Sequence, residues 1–234
     1  MFSIAIDGPA GAGKSTIARR VAKELSFIYV DTGAMYRAMA LYLLREGTDP
    51  QDGEAIARAC VCADISISYE NGEQQVLLNG ENVTAHLREE AVGNMASVSS
   101  ANPGVRKKLV ELQQQLAKRE NVVMDGRDIG TQVLPGAQVK VYLTASARTR
   151  AERRYKELLE KGLEADLQKI EEDINQRDYQ DMNRKISPLC QAEDAVLLDS
   201  SHMTIEEVAE EILKLYGDCL LYTSPSPRDV EESR

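Results

Sequence analysis

Eight consecutive residues near the start of the chain, Gly8-Pro9-Ala10-Gly11-Ala12-Gly13-Lys14-Ser15, match the pattern Gly-x-x-x-x-Gly-Lys-Ser/Thr. They follow a short apolar stretch, Ser3-Ile4-Ala5-Ile6-Asp7. They open a segment in which Ile17, Val21 and Leu25 recur at helical spacing. Glycines in such a turn let the backbone curl so that successive N–H groups face one anion. The positive end of the following helix dipole adds to their pull. Lys14 is spaced to reach the β- and γ-phosphates of a nucleoside triphosphate, and Ser15 offers a hydroxyl to Mg²⁺. A Gly-rich turn that binds nothing would not need strand, loop, Lys-Ser and helix all in register.

Three further clusters carry charge where chemistry would need it. Asp31-Thr32-Gly33-Ala34-Met35-Tyr36-Arg37 follows a second apolar strand and opens a helix, so it is either an anion site or a plain N-cap made by Thr32. Asp125-Gly126-Arg127-Asp128 follows Asn121-Val122-Val123-Met124 at the carboxyl end of a core strand, where open α/β sheets place ligands. It reads either as a turn or as a carboxylate that approaches a metal through water. Leu163, Leu167, Ile170 and Ile174 share one helix face, and the same stepping continues through Arg177, Asp181 and Arg184. That stripe either leaves the core and is solvated or meets a charged ligand, because burying unpaired charge is costly. A fourth group, Arg148, Arg150, Arg153 and Arg154, crowds a helix start, where cations oppose the dipole unless an anion compensates. It reads as a phosphate-clamping lid, with a solvated helix face as the other reading.

The elements that must position these residues alternate strand and helix. Strands are predicted over 2–7, 27–30, 121–125, 139–143 and 195–198. Helices are predicted over 14–25, after 33, around the stripe Val105, Leu109, Leu112 and Leu116, over 147–161, over 163–184, and after the capping box Thr204-Ile205-Glu206-Glu207. That rhythm predicts a three-layer α/β fold with a central five-stranded parallel sheet. It is interrupted where Ile65, Ile67 and Tyr69 alternate, Asn71-Gly72 turns, Val76 and Leu78 alternate, and Asn79-Gly80 turns again. Those signals predict a small three-stranded antiparallel insert. The expected organisation is a core of residues 1–60 and 92–217 with a helical lid at about 148–165, and an inserted subdomain at 61–91. Residues 218–234 lack either period and carry Ser-Pro pairs, which predicts a disordered tail or a non-native scar, with a partner-binding tail as the other reading.

The chain has 234 residues and a net charge of −10, with 43% hydrophobic and 28% charged residues. The acidity argues against a duplex nucleic-acid binder. No apolar run approaches bilayer length and no leader precedes the first strand, so a cytoplasmic protein with no membrane partner is expected. Cys60, Cys62, Cys190 and Cys219 sit at no metal-ligand spacing and are expected to be free thiols. His86 and His202 lie in no triad or metal pattern.

Together, the loop at 8–15, the motifs at 31–37 and 125–131, and Arg177 through Arg184 followed by Pro188-Leu189 resemble the bacterial cytidylate kinases over residues 1 to about 217. Thr32 stands where a serine is common in that family. The resemblance implies a P-loop fold and transfer of the γ-phosphoryl group from ATP to CMP or dCMP with Mg²⁺, these small molecules being the expected partners of a monomeric enzyme. It implies that Gly8 through Thr16, with Arg150, Arg153 and Arg154, bind ATP, and that Ser15 meets the metal. Thr32, Tyr36, Arg37, Arg127 and Arg184 would hold the acceptor, Arg177 and Asp181 its ribose, and Ser97, Arg106 and Asp128 the cytosine. Lys14, Arg127, Arg150, Arg154 and Arg184 would be the catalytic charges. A kinase for a metabolite hydroxyl would need a base, which the arginine stripe does not suggest. A GTPase-like switch would need an Asn-Lys-x-Asp motif, which the chain lacks.

Overall fold

The computed structural model describes residues 1–223. Five strands, β1 (Ser3–Asp7), β2 (Ile28–Asp31), β6 (Val122–Gly126), β7 (Val139–Thr144) and β8 (Val196–Asp199), form one parallel sheet in the order β2-β6-β1-β7-β8. The three central strands are nearly continuous apolar runs because both faces of the sheet are covered. One face packs on α1 (Lys14–Leu25) and α8 (Ile205–Thr223), the other on α2 (Thr32–Arg45), α4 (Glu90–Ser99) and α5 (Pro103–Ala117). The expected three-layer α/β fold is therefore present.

The register of this sheet sets up the site. Asp7 lies opposite Gly126, and Asp125 lies between Ile6 on β1 and Asp31 on β2. Asp7, Asp125 and Asp31 therefore end three adjacent strands at one carboxyl edge, where the connections to α1, α2 and the segment after β6 all begin.

β3 (Ile65–Glu70), β4 (Glu73–Leu78) and β5 (Glu81–Asn82) form the separate antiparallel sheet. Asn71-Gly72 and Asn79-Gly80 take positive φ at both residues, the backbone that two-residue hairpins require. Two helices were not foreseen. They are α3 (Gly53–Cys60), capped by Asp52 and too short for a strong period, and α4, whose Val92 and Met95 are its buried apolar anchors.

Three expectations need correction. The cap of α2 is Asp31, whose carboxylate accepts from the Ala34 N–H at 2.9 Å, rather than Thr32. The helix carrying the charged stripe, α7 (Leu167–Asn183), starts later than expected, with Asp166 as its cap. Leu163 lies before it and is exposed, and Leu167, Ile170 and Ile174 are only half-buried, so this face rests on α6 (Ala147–Glu160) rather than in the core. Residues 218–223 are helical and not tail. The apolar stripe of α8 runs through Gly217, Tyr216 packs edge-on against Phe2 at 4.8 Å, and Cys219 lies against the same core. A helix anchored on both sides of one glycine tolerates its cost of about 1 kcal/mol. The rest of the expected tail, 224–234, lies outside the described residues. The capping box at Thr204 and Glu207 forms in both directions, at 2.8 and 3.2 Å.

Gly8 leaves β1 at φ +144°, and a Cβ there would stand 1.9 Å from the backbone carbonyl oxygen of Leu143 on β7. Neither backbone can yield without breaking the sheet. Gly8→Ala is therefore expected to lower stability by about 3 kcal/mol. For a chain of this size that is about 10 °C in Tm, read by thermal unfolding.

Candidate active site

The loop from Gly8 to Gly13 closes onto the start of α1, with Gly11 and Gly13 in the left-handed region. Lys14 is buried, and its ammonium donates to the Pro9 carbonyl at 2.7 Å, so the side chain curls back over the loop. Burial lowers its pKa, and Arg127 adds to the effect, while Asp125 and Asp7 oppose it. The lysine thus stands within the field of both the strand-end carboxylates and the second arginine cluster.

The Ser15 hydroxyl donates to Asp125 Oδ2 at 2.8 Å. The other oxygen of Asp125 accepts from the Tyr29 hydroxyl at 2.9 Å, and the Asp125 carbonyl accepts from the Thr32 hydroxyl at 2.7 Å. Burial raises the Asp125 pKa, as does Asp31, whereas Lys14, Ser15 and Tyr29 counter them. A hydroxyl and a carboxylate held side by side are hard oxygen donors, suited to a small divalent cation that keeps most of its ligands as water and phosphate. Among the described residues no group of three or more His, Cys, Asp or Glu converges as a self-sufficient cage. Thr32 faces inward, its hydroxyl engaged with β6.

The segment after β6 carries the second cluster. Arg127 Nε donates to Asp181 on α7 at 2.8 Å. Asp128 pairs with Arg106 of α5, both only 4% exposed, and Arg184 Nη2 lies 3.7 Å from its other oxygen. Arg106 is held from three further sides, by the Ser187 hydroxyl at 3.1 Å, the Ser100 carbonyl at 3.2 Å and the Tyr36 ring at 5.5 Å. Arg184 Nε donates to the Ser187 carbonyl at 2.5 Å. Arg37 faces Asp31 at 3.6 Å, and Arg177 stands in the field of Arg127, Asp181 and Arg37. Burial lowers the pKa of Arg184, and Arg106 pushes in the same direction.

The chain thus brings Arg37 of α2, Arg127 after β6, and Arg177 and Arg184 of α7 and its C-terminal cap to one region beside the loop lysine. The Tyr36 hydroxyl, Arg37 Nε and Arg184 Nη2 are buried with no hydrogen-bond partner in the protein. Unsatisfied buried donors are costly, and an anionic, acceptor-rich group such as a phosphate would satisfy them. Beside Arg37 opens a cavity of about 240 Å³, bounded by Asp31, Ala34, Gln74, Thr84 and Arg88.

The other expected residues have distinct surroundings. Arg150 is 4% exposed, bonds the Ala10 carbonyl at 2.9 Å and pairs with Asp178 at 2.5 Å, so it clasps the phosphate loop to α7. Arg153 is tied to the Ser200 carbonyl at 2.6 Å, and Arg154 to Glu157 at 2.9 Å. Ser97 is exposed on α4, where its carbonyl accepts from the Ser100 hydroxyl, and Thr16 is exposed at the start of α1. Cys60, Cys62 and Cys190 are free thiols, and both histidines are exposed.

Sequence reading missed Asp7, Tyr29, Gln74, Asp178 and Ser187. Two left a signal. Asp7 is a charge ending an otherwise apolar buried strand, and Asp178 is four residues beyond Ile174 on the face already singled out. Gln74 left none: its amide brackets Asp31, accepting from the N–H at 2.8 Å and donating to the carbonyl at 3.3 Å, across a contact between two sheets.

A parallel sheet, a glycine loop with Lys14 and Ser15 at its carboxyl edge, and an arginine cluster beside it define a P-loop phosphotransferase. The crystal structure of an uncharacterized protein from Eubacterium ventriosum shares the fold, with a TM-score of 0.50 at 12% identity over 92% of this chain and 97% of that one. More narrowly, the chain belongs to the cytidylate kinase family, whose model matches residues 4–218. It is 50% identical over 215 residues to a cytidylate kinase of Caldicellulosiruptor saccharolyticus, covering 92% of this chain and 95% of that protein. It is 46% identical over 213 residues to the cytidylate kinase of Bacillus subtilis, covering 91% and 95%. No described helix is long and apolar enough to cross a membrane.

Proposed function

We propose that this protein transfers the γ-phosphoryl group of ATP to the 5′-phosphate of CMP or dCMP, as a monomeric cytoplasmic enzyme using Mg²⁺. The observation that carries the reading is the buried Asp128–Arg106 pair beside Arg37, Arg127 and Arg184, next to the loop holding Lys14. Cytosine presents an amino donor beside a ring-nitrogen acceptor, and a carboxylate with an adjacent guanidinium is the matching set. Family membership supports the same assignment.

The acceptor oxygen of a monophosphate is already anionic, so the chain needs no general base. The loop amides from Gly8 through Ser15, with Thr16 and Lys14, bind the triphosphate. Arg37, Arg127 and Arg184 hold the acceptor phosphate in line, and Arg177 and Asp181 hold its ribose. Tyr36, Thr32 and Ser97 complete the acceptor pocket. Catalysis then rests on positioning and on neutralising charge as it spreads over the transferring group. Ser15, backed by Asp125, would hold Mg²⁺, which would supply positive charge to offset that of the phosphates. Residues 61–91, with the sheet β3–β5, serve as the monophosphate-binding subdomain on a core of 1–60 and 92–217. Residues 148–165 would form the lid: Arg154 is exposed and can swing over ATP, while Arg150 and Arg153 would reach it only by exchanging their contacts with Asp178 and Ser200 for the nucleotide, excluding water as they do.

The test incubates the protein with Mg-ATP and, separately, CMP, dCMP, UMP, AMP and GMP, reading diphosphate formation by chromatography. Diphosphate is expected from CMP and dCMP, to be abolished by EDTA and restored by Mg²⁺. Turnover of UMP at the rate of CMP would overturn the base assignment, and turnover without any divalent cation would overturn the role given to Ser15.

A further inference from the structure

Asp7 ends β1 and directly precedes Gly8, and although it lies in the field of Lys14, its hydrogen bonds go to the segment after Asp128. Its carboxylate is 5% exposed and accepts two backbone hydrogen bonds, from the Ile129 N–H at 2.8 Å and the Gly130 N–H at 2.7 Å. Those are the two residues immediately after Asp128. Gly130 permits the approach, since a Cβ there would stand 3.3 Å from Asp7 Oδ2 and 3.3 Å from Lys140 Cδ. The segment they begin, Ile129–Val133, is a single π-helical turn, a rare backbone form that recurs at functional sites. Burial raises the Asp7 pKa to about 6, against the lowering effect of the two amides. Keeping an ionisable group in that place is costly, and its two amide bonds offset the cost.

We infer that Asp7 is a positioning residue for acceptor selection: by clamping the amides of Ile129 and Gly130, it fixes Asp128 against Arg106 and makes the nucleobase preference depend on the strand that carries the phosphate loop. The inference rests on the reading of Asp128 as the group that meets the cytosine. β1 and β6 are already paired through Asp7 and Gly126, so the backbone before Arg127 is held by the sheet. The backbone after Asp128 is bonded within its own turn, where the Asp128 carbonyl accepts from the Gln132 and Val133 N–H groups, and the Asp7 carboxylate is what ties that turn to β1. Neutralising that carboxylate removes one of its two acceptor oxygens, leaving one loop amide facing an N–H₂ group, and lets Asp128 move by tenths of an ångström. Displacements of about 1 Å at a reacting or reading group cost up to about 10²-fold.

The experiment compares Asp7→Asn, Gly130→Ala and Asp128→Asn with the unchanged protein, measuring kcat/KM for CMP and for UMP and the KM for ATP. Asp7→Asn is expected to lower the CMP-to-UMP ratio about tenfold or more while the KM for ATP stays within about threefold. Gly130→Ala is expected to lower the ratio in the same direction by a smaller factor. A merely structural Asp7 would lower Tm and leave the ratio where it was. An unchanged ratio in Asp7→Asn, with Asp128→Asn collapsed, overturns the inference alone. So does a rise in the KM for ATP that matches the loss in acceptor preference, because it assigns Asp7 to the phosphate loop instead. If Asp128→Asn leaves the ratio unchanged, the base reading falls and this inference falls with it. Should Asp7→Asn not fold, Gly130→Ala decides the question, and an unaltered ratio there overturns the inference.

Discussion

Lys14→Ala is expected to lower kcat for phosphoryl transfer by about 10³-fold or more. The loss follows from where the ammonium sits. It is buried, leans on the Pro9 carbonyl, and stands in the field of Arg127 on one side and Asp125 and Asp7 on the other. A preorganised charge in a water-poor site contributes far more than the same charge in solvent, and removing one such donor typically costs about 10²–10³-fold. Lys14 would touch both the stationary and the moving phosphates, so its removal belongs at the upper end of that range. Burial lowers its pKa in the free protein, and a bound polyphosphate must raise it again. The sign follows. Between the lowered value and the ordinary lysine range, ATP binding takes up a proton, so affinity falls as pH rises through that interval. Titration calorimetry in buffers of different ionisation enthalpy reads the uptake. Absence of any proton uptake would show that the lysine is already fully charged before the nucleotide arrives.

The second large effect concerns which monophosphate is accepted. Asp128→Ala is expected to reduce the preference for CMP over UMP more than it reduces transfer itself, by about 10²–10⁴-fold in the ratio of kcat/KM values. Uracil presents a carbonyl where cytosine presents an amine, so on the proposed reading the carboxylate would reject it by facing oxygen with oxygen. The pairing with Arg106 bears on the choice of variant. Deleting one partner of a buried ion pair leaves the other uncompensated, at about 3–5 kcal/mol. Asp128→Asn keeps the volume and can turn its amide N–H toward a uracil carbonyl, so it should relax the preference with less loss of stability. Steady-state kinetics with both acceptors on both variants checks this, and an unaltered ratio would remove Asp128 from base reading.

Much of this architecture was legible before any coordinates. The buried strands reveal themselves as apolar runs, the phosphate loop as spacing, and the hairpins as Asn-Gly pairs, because each signal is local and covers only a few residues. The arginine stripe of α7 was legible for the same reason: three- and four-residue steps put residues on one helix face wherever that helix docks. The limits of local signals appear at Leu163, which matches the step and yet precedes the helix. They appear again at Gly217, whose breaking tendency is overridden by Tyr216 and Cys219 packing on the core.

The sequence by itself determined that a triphosphate loop, a parallel sheet and several separate guanidinium groups exist in this chain, since these depend on residue type and short spacing. Only the tertiary structure decided their pairings: Asp128 with Arg106, Arg127 with Asp181, Arg150 with both the loop and Asp178, and Asp7 with the amides of Ile129 and Gly130. Each joins segments far apart along the chain. The strand order that brings β6 between β1 and β2 is what lines up their carboxyl ends, and no interval in the sequence encodes that alignment.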